Sequence, residues 1–532
     1  MKLRLLAAIP TLVVFTAMPV RAQSAIAQKL KAEIALLEGS GNLHIAGQTV
    51  RISPVLRTVY ARTGFQPLWS DSSALQLVRI LRAVDEDGLR PEHYFIDALR
   101  ELAARGGVNA AAELDLLRTE AFIRVAYDLR RGKVDGIKSA AWPDYSGQLL
   151  SSDPANDVIR LIQSRSLADE VRVLRPNHFV YHGLVQALAR LRSIQRAGGW
   201  PTIPVGPALR PDSTDERVPL LRHRLMIEGD LSSGAPINRT LVFDAELQHA
   251  LKRYQHRHGL NPDAVLGPST LAQLNLPVTA RIDQVRLNLE RARWVTQDLP
   301  ASFIAVNVAG AMVYFVEDGN VVFETRAVVG KTYTATPVFR ATLQSIELNP
   351  TWTVPPGIVG EVLREIRRNP AYLREQNIRV FTRGGTEVDR ARIDYASYTG
   401  RSFPYVFRQE PGVRNPLGTI KLIFPNRYNV YLHDTPSRSL FDREQRAFSH
   451  GCIRVQDPIR LAELVLNDSV RWSETALRRE IGKGVLHRIP LSRQLPVLIL
   501  YWTASADLHG ELHFYRDVYG RDARLLRALD SR

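Results

Sequence analysis

The sequence predicts a multidomain α+β protein, and three stretches of different patterning carry this prediction. Residues 25–200 repeat apolar side chains at helical spacing, as at Leu30 and Ile34. Residues 212–276 contain three short helical segments. After Pro300 the pattern changes to short apolar runs bounded by turn residues, which is typical of strands. A chain of 532 residues has room for roughly three or four domains of ordinary size.

The first 22 residues have the three parts of a secretory signal peptide. Two basic residues precede a mostly apolar core from Leu5 to Met18, and Ala22 is a small residue suited to cleavage before Gln23. The core has 14 residues, fewer than the roughly 20 that a membrane-spanning helix needs. We expect a periplasmic protein that has no transmembrane segment once residues 1–22 are removed. An uncleaved membrane anchor is the alternative.

The chain is strongly basic. Its net charge of +16 becomes +13 without the first 22 residues, because they contain three basic residues and no acidic one. A basic exported protein suits polyanionic surroundings such as the cell wall, although a solvated basic surface without a specific partner explains the charge equally well. The sequence has no zinc-ligand spacing and no nucleic-acid-binding motif. We therefore expect no metal, no other cofactor and no nucleic-acid partner.

The N-terminal region, residues 23–211, is predicted to be a helical domain. Helical blocks are expected at about 112–131 and 182–196, and the Gly- and Pro-rich stretch 198–211 is interpreted as a linker.

Residues 212–276 are predicted to form a compact three-helix module. Pro219 is tolerable in the first turn of one helix, Asp244 can cap the second, and Gly259 ends it. Residues 277–300 are predicted to be a connecting helix.

Residues 301–532 are predicted to be a β-rich domain. Asp318-Gly319 is a two-residue turn signal between two apolar runs, and it predicts a hairpin. The expected strands are 304–308, 312–316, 321–323, 420–424, 430–433 and 497–503.

An insertion is expected at 356–416 within this domain. It has one helical pattern, eleven arginines and seven acidic residues. A solvated basic excursion and a lid over an anionic substrate are both compatible with this composition.

Cys452 is the only cysteine of the chain. Exported proteins usually carry cysteines as disulfides, so a single one is either a small buried hydrophobe or a reactive thiol. His433, nineteen positions upstream at a strand end, is the candidate general base, and His450 is expected to line the same pocket. Histidines near strand ends are also often structural. The reactive interpretation predicts a solvent-reachable thiol with a lowered pKa.

The residues around Cys452 suggest two further roles. Gly451 permits close backbone approach, so the amides of Gly451 and Cys452 are expected to face a developing oxyanion. Arg454 is able to bind a substrate carboxylate through its planar guanidinium, or alternatively to pair with Asp457.

The strings Tyr431–Pro436 and Ser449–Arg454 resemble the active-site motif of L,D-transpeptidases with the YkuD fold. Fifteen residues separate His433 from Ser449, a spacing within that of the family. The flanking sequence is similar to the large multidomain, YcbB-like branch of the family. The similar segments are Asn288–Arg291, Arg293-Trp294, Asn349–Pro356, Asn415–Gly418 and Phe424–Asn426.

The resemblance extends over the other predicted domains, from about residue 30 to the end. Residues 212–276 are similar to a peptidoglycan-binding domain of the three-helix type, with Asp263-Ala264 where that family usually has Asp-Gly. The N-terminal part, including Gln66–Trp69 and Gly88–Pro91, resembles the helical scaffold of the same branch. The resemblance thus implies a YkuD-type catalytic domain, a scaffold domain and a small peptidoglycan-binding domain.

The resemblance also implies a reaction. The thiolate of Cys452 would attack the carbonyl of the third stem residue of a peptidoglycan tetrapeptide and expel D-alanine. The amine of a second stem would then open the thioester and form a 3→3 cross-link. His433, its ring oriented by the carbonyl of Asp434 or a neighbour, would move the protons. Tyr431, Trp352, Ser449 and Arg454 would line the donor site, the insertion would cap it, and carbapenems would acylate Cys452.

Three functions remain open from the sequence. The first is the cross-linking transpeptidase. The second uses the same thioester with water, a D-amino acid or a lipoprotein as acceptor, and wall-synthesis proteins are candidate partners. The third is a wall-binding protein without catalytic activity.

Overall fold

The computed structural model describes residues 20–134, 148–232 and 240–531, so residues 1–19 of the predicted signal peptide lie outside the described part. The described residues form two compact units. The first unit contains residues up to 189 together with 289–297 and 525–531, and the second contains 190–288 and 298–524. Within the described ranges, no helix is both long and apolar enough to cross a membrane.

The N-terminal part of the chain is helical, as predicted. A short hairpin, which the sequence analysis missed, follows the first helix; its two-residue turn is Ala46-Gly47, and both residues have positive φ. The elements are α1 (Val20–Ser40), β1 (Asn42–Ile45), β2 (Gln48–Arg51), α2 (Pro54–Arg62), α3 (Asp71–Ala83), α4 (Ile96–Arg105), α5 (Gly107–Arg131), α6 (Pro154–Ile162), α7 (Leu167–Leu174) and α8 (Phe179–Arg196).

The predicted three-helix module is present as α9 (Val218–Glu228), α10 (Ala245–Arg257) and α11 (Pro268–Leu274), followed by α12 (Val278–Val295). The side chain of Asp244 accepts the Leu247 amide at 3.0 Å and caps α10, as predicted. Ala264 adopts a left-handed φ of +60°, and its amide donates to Gln255 Oε1 at 2.9 Å. The turn therefore keeps a left-handed residue although alanine stands there in place of glycine.

The stretch 198–211, expected to be a linker, packs along this module. Ile203 is fully buried in the core of the module, and Leu209 pairs with Leu266. The indole of Trp200 donates to the Leu276 carbonyl at 2.9 Å. The apolar residues interspersed among the prolines explain the difference, because they bury surface that a free linker would expose.

The rest of the second unit carries most of the strands. Its elements in chain order are β3 (Phe303–Asn307), β4 (Met312–Glu317), β5 (Asn320–Gly330), β6 (Phe339–Leu348), β7 (Trp352–Thr353), α13 (Pro356–Arg368), α14 (Tyr372–Glu375), β8 (Ile378–Phe381), β9 (Glu387–Val388), β10 (Val406–Gln409), β11 (Ile420–Ile423), β12 (Leu432–His433), β13 (Ala447–Ser449), β14 (Ile453–Val455), α15 (Pro458–Leu466), α16 (Glu474–Gly482), β15 (His487–Leu500), β16 (Ala504–Ala506) and β17 (Leu512–Phe514). A last helix, α17 (Asp522–Asp530), follows.

The main sheet closes on itself. Its strands pair in the order β14–β12–β11–β6–β15–β3–β4–β5, and β5 pairs again with β14. The Asp318-Gly319 turn joins β4 to β5 with φ values of 49° and 80°, which confirms the predicted hairpin. The side chains that point inward form one apolar core, which α15 and α16 help to cover. The candidate residues His433 and Arg454 lie on strands of this sheet, and Cys452 directly precedes β14.

The insertion at 356–416 is a folded subdomain with its own core. Strands β7, β10, β8 and β9 form a four-stranded sheet, and α13 lies beside it. Phe403 and Phe407 stack with ring centroids 4.6 Å apart, and Val362 and Leu363 of α13 are buried in the same cluster. The arginines of the insertion therefore belong to a packed subdomain and not to a solvated loop.

The three-helix module is held firmly against the β17 end of the second unit. Arg257 donates to the Leu512 carbonyl at 3.0 Å, and His258 stacks on Phe514 with centroids 5.4 Å apart. On α12, Gln284 donates to the Thr503 and Tyr515 carbonyls at 2.7 and 2.9 Å. Residues of the module and of α12 thus contact the β16–β17 hairpin and the segments that flank it.

Replacing Phe407 by alanine tests whether the insertion has an independent core. We expect a cost of about 3–5 kcal/mol to the insertion, because a fully buried aromatic ring is removed. Amides of β8 and β10 should lose protection from hydrogen exchange, whereas those of β15 keep it. Val413→Ala, at a side chain that is 91% exposed, is the matched control. Loss of protection in β15 as well would show one shared core.

Candidate active site

Strand pairing places four of the predicted site residues, Tyr431, His433, Cys452 and Arg454, on one face of the sheet. In β12, β11 and β14 the side chains of Leu432, Leu422 and Ile453 point into the core. Because side chains alternate along a strand, their neighbours point to the opposite face. Those neighbours are Lys421, Tyr431, His433, Cys452 and Arg454. His433 is paired with Lys421 on one side and with Arg454 on the other.

The Cys452 side chain is half-buried between these strands. Its Sγ lies 3.6 Å from the Asn429 carbonyl oxygen. Burial raises the pKa of the Cys452 thiol, and the Tyr431 amide, Lys421 and Arg454 offset this only in part. The expectation of a lowered pKa is therefore wrong for the free protein, because desolvation outweighs the nearby positive charges.

His433 is buried and held in one orientation. Its Nδ1 donates to the Asp434 carbonyl at 2.6 Å, which leaves Nε2 as the basic nitrogen. Burial lowers the pKa of His433 to about 3, the Asp434 carbonyl opposes this, and Arg454 and Lys421 lower it further. In the described part of the chain, no hydrogen bond joins His433 to Cys452. Base and thiol are therefore both neutral at neutral pH.

The side chain of Asp434 fixes the segment that carries His433. Its Oδ2 accepts the amide and the hydroxyl of Thr419, both at 2.9 Å. Gly418 has a φ of +61°, and a Cβ there would lie 2.4 Å from Cγ of Asp434. A glycine is therefore required where Asp434 approaches the backbone.

The loop that carries Cys452 is braced from both sides. The Ser449 hydroxyl donates to the Cys452 carbonyl and accepts the Gly451 amide at 3.0 Å. The hydroxyl of Thr336, fully buried, donates to the Gly451 carbonyl at 2.9 Å and accepts the Gly330 amide. Gly451 itself has a φ of +118°, which favours glycine.

This bracing corrects the expected oxyanion site. The Gly451 amide is occupied by Ser449 and does not face the site. The carbonyl of Gly451 is held by Thr336, and in a trans peptide the Cys452 amide points the opposite way. Among the described contacts none occupies the Cys452 amide, so of the two expected amides only this one is free to donate to a ligand.

His450 and Trp352 face the insertion. His450 Nε2 lies 3.3 Å from Glu361 Oε1 in α13, so its ring contacts the insertion. Trp352 lies in β7 and packs against the core of the insertion. Within the described ranges, no hydrogen bond or ring contact joins either side chain to Cys452.

Arg454 forms no ion pair within the described part of the chain. It makes no ion pair with Asp457, which instead accepts the Arg460 amide at the start of α15. Its Nε is buried without a hydrogen-bond partner. Burial lowers the pKa of Arg454, and Cys452 acts in the opposite sense. An unpaired guanidinium on this face is suited to bind an anion.

One group of side chains elsewhere has ligand atoms close enough to hold a metal ion. Asp507, Glu511 and His513, on the β16–β17 hairpin, have ligand atoms within 4.8 Å of one another. Asp507 already accepts the amides of its own turn, and Arg257 lies 3.6 Å from Glu511. The group lies outside the catalytic strands.

Family comparison matches three parts of the chain. Residues 301–479 match the model described as L,D-transpeptidase catalytic domain, YkuD. This part of the chain belongs to the YkuD family. Residues 54–188 match the model described as "Scaffold domain", and 214–274 match the one described as "Putative peptidoglycan binding domain". The predicted multidomain α+β organisation with a YkuD-type domain is confirmed.

Individual relatives are distant. A protein of Haemophilus influenzae named "Putative L,D-transpeptidase" is 24% identical over 490 residues, which are 90% of this chain and 81% of that protein.

Three solved structures show a weaker likeness. The Ldtfm–avibactam carbamoyl enzyme is 15% identical with a TM-score of 0.18, over 40% of this chain and 61% of that one, less than two thirds of its length. L,D-transpeptidases of Xylanimonas cellulosilytica and Stackebrandtia nassauensis are 15% and 13% identical with TM-scores of 0.18 and 0.23. Each match covers 56% of this chain, and 98% and 96% of those chains. At these TM-scores the likeness carries no argument about mechanism.

Sequence reasoning missed three residues of the YkuD domain that support the site. Asp434 follows His433 directly, but only its Thr419 contacts reveal its side chain as a brace. Lys421 had a signal, since it is a charged residue within the apolar run 420–424. Thr336 had none, because it meets Gly451 only through the pairing of distant strands.

We expect Cys452 of the YkuD domain to react slowly with iodoacetamide at pH 7, compared with free cysteine, and its rate to be still rising at pH 9. Burial raises the pKa of the thiol, and only the thiolate reacts. His433→Gln should change the profile by less than about twofold, because a neutral imidazole without a bond to Sγ adds no charge. Mass spectrometry gives the rate from a single site. An inflection at or below pH 7 would contradict the geometry.

Proposed function

We propose that this protein is an L,D-transpeptidase that forms 3→3 peptidoglycan cross-links through a thioester at Cys452. One observation carries the proposal: paired strands present a thiol, a neutral imidazole and an unpaired guanidinium on the same face of the sheet. These are the nucleophile, base and anion-binding group that acyl transfer from a peptide carboxylate requires.

Acylation begins when Sγ of Cys452 attacks the carbonyl carbon of the third stem residue, a diaminopimelate. His433 Nε2 takes the thiol proton, and the carbonyl oxygen becomes an oxyanion facing the Cys452 amide. When the carbon–nitrogen bond breaks, His433 gives the proton to the amine of the departing D-alanine. A thioester and a neutral imidazole remain.

Aminolysis reverses the proton transfers. The side-chain amine of a second stem attacks the thioester carbonyl, and His433 takes a proton from that amine. The carbon–sulfur bond breaks, and the proton passes to Cys452 as the thiol leaves. One amide bond has been broken and another formed, so the exchange needs no external energy source.

The charge state of the free protein suits this sequence. A protonated thiol beside a neutral base gives no preformed ion pair, so proton transfer accompanies attack. The tautomer of His433 is set by the Asp434 carbonyl, so Nε2 is ready to accept. The general base therefore stays available from neutral pH down to about pH 3.

Donor recognition is assigned to the residues around the thiol. Arg454 supplies an unpaired guanidinium for a carboxylate of the stem. Tyr431 presents an aromatic ring beside Cys452, and Ser449 holds the loop. Trp352 and the insertion would cap the donor, with His450 and Glu361 linking the loop to α13.

The other domains place this chemistry at the cell wall. The module at 214–274 would bind peptidoglycan glycan, and the signal peptide at 1–22 would direct the chain to the periplasm. Carbapenems would acylate Cys452, since they present a reactive carbonyl. Wall-synthesis proteins are proposed partners.

A second function uses the same thioester with water, a D-amino acid or a lipoprotein amine as the acceptor. The half-exposed thiol favours it as a second candidate, because it leaves the acceptor side open to small nucleophiles. A wall-binding role without catalysis would not account for the hydrogen bonds that hold the Cys452 loop, nor for the Arg454 side chain without an ion-pair partner.

The decisive experiment mixes the mature protein with purified disaccharide-tetrapeptide. We expect an acyl adduct on Cys452, release of D-alanine, and 3→3 dimers. Cys452→Ala should abolish all three, and His433→Gln should slow acylation by about a hundredfold or more. Intact-mass spectrometry and product analysis give the readout. An adduct that yields only tripeptide would favour hydrolysis, and activity in Cys452→Ala would refute the proposed nucleophile.

Thr336→Val separates the oxyanion site from the thiol. Valine keeps the shape but loses the bond to the Gly451 carbonyl, so the Cys452 amide is no longer held in place. We expect acylation by a carbapenem to slow about ten- to a hundredfold, because a misplaced oxyanion donor stabilises the transition state less. Alkylation by iodoacetamide, which forms no oxyanion, should change less than twofold. Thr336→Ser should behave as wild type, and equal losses in both reactions would indicate simple misfolding.

A further inference from the structure

Lys421 occupies a central place in a row of ionisable residues across the sheet. Through β14, β12, β11, β6 and β15, the paired residues in order are Arg454, His433, Lys421, Glu347 and Arg488. Residues paired directly across neighbouring strands are close enough to interact. Lys421 therefore lies between the proposed base and a buried carboxylate.

The carboxylate of the row is already engaged. Arg488 Nε donates to Glu347 Oε1 at 3.1 Å. Lys421 makes no ion pair or hydrogen bond in the described part of the chain. Its Nζ instead lies 4.2 Å from the ring centroid of Tyr431, toward the thiol side of the row. A half-buried ammonium is thus held next to the nucleophile without a counterion of its own.

We propose that Lys421 is a positioning residue that sets the charge state of the Cys452–His433 pair, an inference that rests on the proposed function. Its fixed positive charge favours the thiolate and disfavours the imidazolium. The proton taken from Cys452 is consequently passed on to the leaving amine rather than retained on His433. Arg454 contributes the same sign of charge from the other side of His433.

The electrostatics of the site agree with this geometry. Lys421 and Arg454 both lower the pKa of Cys452, and both lower that of His433. Burial lowers the pKa of Lys421, while Glu347 and Cys452 raise it. The groups that act on Cys452 are Lys421 from β11, the Tyr431 amide directly before β12, and Arg454 from β14. His433 lies between Lys421 and Arg454, while His450 pairs with Glu361 of α13.

The test is the pH profile of Cys452 alkylation by iodoacetamide in the full chain. Lys421→Met removes the charge and keeps the length, so the thiol should titrate at higher pH. We expect alkylation at pH 8 to slow about three- to tenfold, since a lost neighbouring charge moves a pKa by about half a unit to one unit. Lys421→Arg should stay within about twofold of wild type.

Lys331→Met is the matched control. Lys331 lies over Tyr333 in the neighbouring loop but outside the row, so its removal should leave the profile unchanged. Thermal unfolding of each variant verifies folding, and Lys421→Gln replaces Lys421→Met if the latter does not fold.

Three outcomes would overturn the inference. These are an unmoved profile in the folded, charge-removing variant, an equal shift in Lys421→Arg, and an equal shift in Lys331→Met. A raised KM for the donor with an unmoved profile would also overturn it and make Lys421 a substrate contact. The alkylation needs no stem peptide, so its result is independent of whether transpeptidation itself is found.

Discussion

The parallel pairing of β12 with β14 is the constraint on which the site depends. It sets His433 opposite Arg454, twenty-one positions later in the chain, and places Cys452 directly before the second of these strands. Leu432 and Ile453 anchor this register, because each is fully buried in the core of the closed sheet. A slip of one residue would bury the polar face and expose the apolar one. The packing of the core therefore also determines which side chains lie on the face with Cys452.

In the free protein, the positive charges of the site lack negative partners among the described residues. Two half-buried cations, Lys421 and Arg454, flank a neutral imidazole, and burial holds the thiol in its protonated form. A buried charge without a partner lowers the free energy of unfolding, and burial of the apolar core of the closed sheet offsets this cost. The arrangement gains its counterions only when negative charge arrives, either as a bound carboxylate or as a thiolate in the course of reaction. These unpaired cations lower the stability of the folded protein, but their positive potential would favour the negative charge that develops in the proposed reaction.

Local patterns in the sequence predicted much of the fold. The Asp318-Gly319 hairpin and the Asp244 cap depend on a few adjacent residues, and both were read correctly. The motif around Cys452 likewise consists of adjacent residues, and it predicted the YkuD-type domain that the family comparison matches. The support from Thr336 and Lys421 depends on strand register and packing, which no local pattern encodes. The direction of the pKa shift at Cys452 also escaped prediction, because desolvation is a property of the folded environment rather than of flanking residue types.

The fixed position of the three-helix module determines how far a ligand bound to it would lie from the thiol. Arg257 and His258 of the module, and Gln284 of the adjoining α12, are bonded or stacked within the unit that carries Cys452, so no flexible tether lies between module and thiol. With a tether, the chance of reaching a target would follow chain statistics and fall gradually with length. Here the distance between the module and Cys452 is fixed. If a glycan strand bound to the module, the thiol would reach only those stem peptides that lie at that distance and in that direction.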